Sequence, residues 1–441
     1  MQIIRLFTAL LLAVLATCSS SVFARPAGGA RTLVIVENSD AKGQYSKFLT
    51  GLTERGHELT YKTATESDFG LVVYEEIAFD HVLVLAPTVG SFGGELGIGN
   101  LMEFVSKGGN VLIAASSQIS EAIRDFAYEF SVDFDESGSG VQDHFLKIEQ
   151  DDPTLISVSN GFVGNSVAVA PSVAKGPPIL FRGVGHRLTG KNPLIQALLV
   201  GAPTTFASEI ADKDVLEGSL LVGKDVVLVS ALQARNNARV TFAGSVEMFS
   251  DALIERQAKG AVFGNGALVE ELAKWTFHEK GVLKVLGKKH HRVNETDQHG
   301  IYRIKDDMVY EISISEWTGK DWDPFQATDM QFEAVMLDPY IRTPLRSSTP
   351  GTFAAHFRLP DHYGVFTFKV DYRRHGYTWV TETETVQVRP YRHDQYPRFL
   401  TAAMPYYVNV FSLAAAFVLF SAVFLWNRDV PNGGAKKLKT T

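Results

Sequence analysis

The chain has 441 residues, 49 acidic against 42 basic side chains, and a formal charge of −7. That length has room for two or three domains, and the acidic balance leaves no electrostatic footprint for nucleic acid. Cys18 is the only cysteine, so thiol catalysis, cysteine-ligated zinc and iron–sulfur clusters are excluded from everything that follows it.

Arg5 precedes an apolar run over 6–16, and Val22-Phe23-Ala24 offers small or aliphatic residues ahead of Arg25. This is the build of a secretory signal peptide over 1–24, with Cys18 inside it. A mature chain without cysteine must hold its extracytoplasmic body together by burial alone.

The apolar run 32–37 (TLVIVE) predicts a buried strand, and Tyr45, Phe48, Leu49 and Leu52 predict a helix over 42–55. Further strands are expected over 58–62, 81–86 and 110–115. Helices are expected around Leu101, Phe104 and Val105 and from Ser120 to 130. Strand–helix alternation with continuous apolar strands implies an open, mostly parallel α/β sheet over 25–280. The Gly-, Pro- and Ser-rich stretch 131–208 reads as an irregular or β insertion. Strands over 225–230 and 239–243 and helices over 245–256 and 266–278 complete the domain. A linker is expected over 281–300, with a basic, His-bearing segment at 288–292.

Then the period changes to two, as in Met308-x-Tyr310-x-Ile312-x-Ile314 and Phe366-x-Phe368-x-Val370-x-Tyr372. An antiparallel β-sandwich-like domain is expected over 301–395. Residues 405–426 carry no charge and would make about 33 Å of helix, enough for a bilayer core of about 30 Å. Tyr406, Tyr407 and Trp426 stand at its two ends, where interfacial aromatics belong. Ser412, Ala415, Ala416, Ser421 and Ala422 are small enough for close helix packing in lipid. The tail 427–441 would be cytosolic in a type I protein. It carries Lys437 and Lys439 at the fifth and third positions from the end, the dilysine retrieval pattern of endoplasmic reticulum membrane proteins.

Catalytic motifs are missing. Gly90, Gly93, Gly94, Gly97 and Gly99 do not form G-x-G-x-x-G, and the run 281–289 has one residue too many and a lysine in place of the magnesium-binding Ser/Thr of a P-loop. There is no G-x-S-x-G elbow. Ser116 and Ser117 follow a strand but lack a recognisable base, so turn or capping roles are expected. His290, His291 and His299 lack metal-ligand spacing and read as a solvated basic loop. No cofactor and no metal is implied. The segment 316–325, with Trp317, Trp322 and Phe325 among three carboxylates, reads either as a recognition surface or as core anchoring of a long loop. Asn294-Glu295-Thr296 is a usable glycosylation sequon.

Several segments resemble one family. They include Asp321-Trp322-Asp323-Pro324-Phe325, Met336-Leu337-Asp338-Pro339-Tyr340-Ile341-Arg342 and His362-Tyr363-Gly364-Val365-Phe366. Asp371-Tyr372-Arg373-Arg374-His375-Gly376-Tyr377-Thr378, Arg389-Pro390-Tyr391-Arg392 and Ser230-Ala231-Leu232-Gln233-Ala234-Arg235-Asn236-Asn237-Ala238-Arg239 belong with them. The chain is similar in them to the 48 kDa subunit family of oligosaccharyltransferase. That resemblance implies an α/β domain like class I glutamine amidotransferases, without their chemistry. It also implies an accessory, non-catalytic, single-pass subunit of a complex whose polytopic partner performs catalysis. Its setting would be the endoplasmic reticulum membrane, with the bulk in the lumen. A stand-alone type I glycan-binding or cargo receptor is the alternative.

Overall fold

A computed structural model describes residues 30–66, 69–90, 97–149, 152–164, 167–190, 192–210, 221–258, 261–396 and 400–426. The expected signal peptide and the tail lysines Lys437 and Lys439 lie outside them.

The first domain is built on nine strands: β1 (Ala30–Val36), β2 (His57–Thr63), β3 (His81–Leu85), β4 (Asn110–Ala114), β5 (Val132–Phe134), β6 (His186–Leu188), β7 (Ile195–Val200), β8 (Val227–Gln233) and β9 (Arg239–Ala243). Their order is β2-β1-β3-β4-β9-β8-β6-β5, with β7 also on β8. The first five in that order run parallel, Thr32 opposite His81 and His81 opposite Asn110. The rest are antiparallel. The parallel half is doubly wound. Residues of β1 alternate between two cores, Val34 and Val36 on one face and Leu33 and Ile35 on the other. That is why its sequence reads as an unbroken apolar run. Helices α1 (Ser46–Glu54) and α4 (Asn265–Thr276) cover the first face, and α2 (Ile98–Ser106) and α3 (Glu121–Glu129) the second. Ser120 caps α3, its hydroxyl accepting from the Ile123 amide at 3.4 Å.

Three expectations need correction. The stretch 131–208 is no separate insertion, since it supplies β5, β6 and β7 to the main sheet. The helix expected over 245–256 shrinks to a 3-10 turn and the short helix Asp251–Ile254, because Ser250 interrupts it as an N-cap. The stretch expected as a linker holds β10 (Val282–Arg292), a full member of the second domain.

That domain is a sandwich. One sheet holds β10, β12 (Asp307–Trp317), β13 (Trp322–Pro324), β16 (Arg346–Thr349) and β17 (Thr352–Arg358). The other holds β11 (Ile301–Arg303), β14 (Gln331–Met336), β15 (Asp338–Pro344), β18 (Gly364–Tyr372) and β19 (Val380–Arg389). All pairs are antiparallel except β11 with β19. Between the sheets Tyr310, Phe332, Phe357 and Phe368 pack ring on ring at 4.6–6.2 Å. The apolar helix α5 (Met404–Trp426) follows; it touches neither domain through buried residues and is long enough to cross a membrane.

Candidate functional site: a cleft between the two domains

The sandwich docks at the amino ends of the parallel strands, where β1, β2, β3, β4 and β9 begin. Polar side chains at those starts are buried against it. Arg239, the first residue of β9, is fully buried. Its guanidinium donates to four backbone carbonyls: Trp275 at 2.6 Å, Lys280 at 2.7 Å, Gly281 at 2.8 Å and, from the sandwich, Gly376 at 3.2 Å. It also lies 4.8 Å from the Trp275 ring. The Trp275 indole N–H donates to the same Gly376 oxygen at 2.9 Å. Gln233 donates to the Tyr377 carbonyl at 2.6 Å, and the Asn237 carboxamide oxygen accepts from the Trp379 amide at 2.8 Å. The backbone crosses this junction in left-handed conformations at Gly281 (φ +67°) and Gly376 (φ +91°). A Cβ on Gly281 would stand 2.5 Å from the Gly376 oxygen, so only glycine lets the two domains approach this closely.

Beside this staple the cleft opens as two adjoining cavities of about 1170 and 470 Å³ that share Gly108, Val282, Lys284 and Trp322. The larger is basic, with Lys107, Arg235, Lys284, Lys288 and Arg373 against Glu382. Two of these cations face indoles: Lys284 Nζ is 5.6 Å from the Trp322 ring, and the Arg373 guanidinium is 5.1 Å from Trp379. The smaller is floored by His57, His81, Phe277 and Glu279. His57 Nε2 meets Glu279 at 2.6 Å, Arg55 meets the same carboxylate at 3.0 Å, and His81 stacks on Phe277 at 4.8 Å.

The electrostatics of this junction are set by burial. It pushes the His81 imidazole down to about 3, and His186 in the sheet likewise to about 3. Burial alone would raise the Glu279 carboxyl, but the His57 hydrogen bond and the Arg55 charge outweigh it and hold the group below its ordinary value. The unfolded chain protonates its histidines near pH 6.5. Between there and pH 3 it binds protons that the folded chain refuses, so stability falls as pH falls, by up to roughly 1.4 kcal/mol per pH unit for each such histidine. Glu279 acts in the same sense at lower pH, its contribution being lost as pH drops through its depressed value. The melting temperature of the full chain in detergent is therefore expected to decline steadily below about pH 6.5. A flat profile from pH 7 to 5 would show that these histidines are not buried in the neutral form.

The structure divides the aromatic segment. Trp317 and Trp322 face each other across the hairpin of β12 and β13, with rings 5.3 Å apart, so this is not a loop. Trp322 is 39% exposed on the cleft. Phe325 is corrected as a contact residue: it is 2% exposed and packs against Phe353, Tyr372 and Tyr377. His290 is likewise no loop residue. It is buried on β10, with Nδ1 2.7 Å from the Tyr302 hydroxyl and Nε2 3.2 Å from Glu384. His291 and His299 bond elsewhere, to the Arg292 carbonyl and to Glu295. Asn294 is exposed in the turn after β10, and Ser412, Ala415 and Ala416 are exposed on α5. Sequence reasoning missed Arg239; the signal was an arginine opening an otherwise apolar strand.

Among the described residues, catalytic groups do not gather at one place. At the carboxyl ends of β1 and β3, where doubly wound sheets place ligands, Glu37 accepts from the Thr88 hydroxyl at 2.7 Å and amide at 3.1 Å. The Ser116 hydroxyl accepts from the Gln118 amide. A Ser–His contact does exist, Ser230 to His186 at 2.8 Å, but both are fully buried and His186 Nδ1 has no partner to orient it. A triad needs an accessible nucleophile and an oriented base. Among the described residues, no group of three His, Asp or Glu side chains could hold a metal.

Fold and cleft together define a class: a two-domain body with a basic, indole-lined groove, followed by one helix able to span a bilayer. Its family is shown by direct comparison. The chain belongs to the OST48 family, whose N-terminal domain profile matches residues 23–279 and whose middle domain profile matches 290–428. It is 39% identical over 416 residues to the dolichyl-diphosphooligosaccharide–protein glycosyltransferase 48 kDa subunit of Danio rerio, covering 91% of this chain and 93% of that one. To the Arabidopsis thaliana protein of the same description it is 38% identical over 408 residues, covering 90% and 93%. A solved ThuA-like protein from Parabacteroides merdae aligns with 56% of this chain and 90% of its own at 16% identity. The TM-score of that superposition is 0.29.

Proposed function

We propose that the chain is a non-catalytic, single-pass type I subunit of an endoplasmic reticulum oligosaccharyltransferase. That complex moves a preassembled glycan from dolichyl diphosphate to Asn in Asn-x-Ser/Thr. The observation that carries this is a near-full-length match, at 38–39% identity, to relatives named as the 48 kDa subunit. The junction supports a scaffolding role, because its buried polar groups are spent on holding two domains together. Trp322, on the cleft, is the proposed contact for a partner subunit or glycan. The small residues Ser412, Ala415, Ala416, Ser421 and Ala422 are proposed to pack against partner helices in lipid. Orientation and retrieval rest on 1–24 and on Lys437 and Lys439, and Asn294 is a proposed lumenal glycan acceptor.

Affinity purification of the tagged full chain in mild detergent tests this. It is expected to co-migrate with a many-spanning subunit and with transfer to an Asn-x-Thr peptide, whereas the separated chain transfers nothing. Ala415→Phe should lower that recovery, and endoglycosidase should shift the band of the wild type but not of Asn294→Gln. A chain that elutes alone, or that transfers glycan when alone, would overturn the assignment.

A further inference from the structure

The sandwich carries an apolar tip that folding does not account for. β14 and β15 pair Met336 with Asp338, which leaves Leu337 alone at the turn. Leu337 is 100% exposed and has φ +63°, a left-handed conformation that strains a bulky side chain and suits glycine or asparagine. A strained residue with no core contact points to a use outside the chain. Tyr363, in the segment leading into β18, is 69% exposed. A Cβ on Gly364 would lie 2.8 Å from Met336 Sδ, and the Tyr340 and His362 rings are 5.3 Å apart, so the two segments form one tip.

Strand register fixes which end of the domain this is. Gly364 pairs with Val388, and the chain leaves the sandwich toward α5 one residue later, after Arg389. Tyr391 packs on the sandwich core and its ring lies 5.5 Å from that of Tyr396, so the exit segment stays at this end through Tyr396. From there to Met404 the chain can reach at most about 29 Å. The Leu337 turn lies about 12 Å across the sheet from β19, at ~4.8 Å per strand. The tip therefore belongs to the end tethered to the top of α5.

We propose that the turn 336–338 and the segment 362–365 dip into the headgroup region of the bilayer that α5 spans, with Leu337 as an apolar wedge and Tyr363 at the interface. Interfacial tyrosine and a shallow apolar contact are what that layer accommodates. A few side chains are too little for a stable protein interface, which needs about 800 Å² per partner. Asp338 at the turn and Asp361, paired with Lys305 at 2.7 Å, keep the insertion shallow. Asn294 follows β10 on the opposite sheet but at this same end, where it lines a cavity with Tyr391 and Gln395. The proposal rests on α5 crossing the membrane and not on the complex assigned above.

Spin labels in the full chain test it. Cys18→Ser removes the single cysteine, and Leu337→Cys, Tyr363→Cys, Tyr74→Cys or Val418→Cys then gives one site for a nitroxide in phosphatidylcholine nanodiscs. Power saturation compares access to oxygen, which favours lipid, with access to a nickel chelate, which stays in water. Labels at 337 and 363 are expected to show an oxygen-to-nickel ratio several-fold above that at 74, an equally bare tip (97% exposed, φ +50°) on the other domain. The label at 418 reports the span. If 418 is lipid-buried while 337 and 363 match 74, the proposal is overturned. If 418 is open to nickel, the span fails and the proposal with it. If 337 is open to nickel in nanodiscs but shielded in the co-purified complex, the tip contacts protein, which also overturns it.

Discussion

Replacing Arg239 by methionine is expected to cost roughly 3 kcal/mol or more, since hydrogen bonds from a charged donor contribute about 1.5–3 kcal/mol each and several are lost together. The side chain is fully buried, and burial pushes its guanidinium down to about 9. Its charge is balanced by four carbonyl dipoles rather than by a carboxylate. Methionine fills similar volume but removes every one of these charge-assisted bonds: the Gly376 oxygen keeps only the Trp275 indole and the Gly281 oxygen only the Thr378 amide, while the Lys280 oxygen loses its side-chain donor. Three of the four belong to α4 and the junction, and one to the sandwich loop, so the loss falls on the contact between domains. The expected result is a lower melting temperature of the full chain together with new proteolytic cleavage near 279–281. Arg239→Lys should recover only part of the loss, because an ammonium cannot reproduce a planar fork aimed at several oxygens. A methionine variant that melts like wild type would show that the domains are held by other means.

This junction marks the limit of what the sequence discloses. The strands of the parallel half were legible because both faces are buried and their residues are apolar without a break, as in Leu33 to Val36 and Val111 to Ala114. The sandwich was legible from its period of two. The outer strands of the antiparallel half were not, although β8 was, since β5 and β6 are only three residues long and sit among turn residues. His290 misled for a related reason. Its basic neighbours suggest solvent, yet on a strand only alternate residues face out, and His290 points inward to Tyr302 and Glu384. The docking of the domains depends on side-chain-to-backbone bonds between residues up to 144 apart, such as Gln233 to Tyr377. No local period carries such a contact.

The aromatic segment supplies the second large effect, and it separates fold from contact. Phe325→Ala is expected to cost roughly 3–5 kcal/mol, since it empties a site enclosed by Phe353, Tyr372 and Tyr377. Trp322→Ala should change stability by no more than about 1 kcal/mol, because the ring stands 39% exposed at the cleft surface, against Trp317 and Lys284. If the cleft is a contact surface, the order reverses in the co-purification experiment. Trp322→Ala then folds normally but recovers less of the complex, since an exposed indole beside a cation is the kind of anchor whose truncation is felt on binding. Lowering the temperature should restore the assembly of Phe325→Ala, whose defect is in folding, and should not restore that of Trp322→Ala. Full recovery of the complex by Trp322→Ala at every temperature would confine the role of the hairpin to Phe325 and the core.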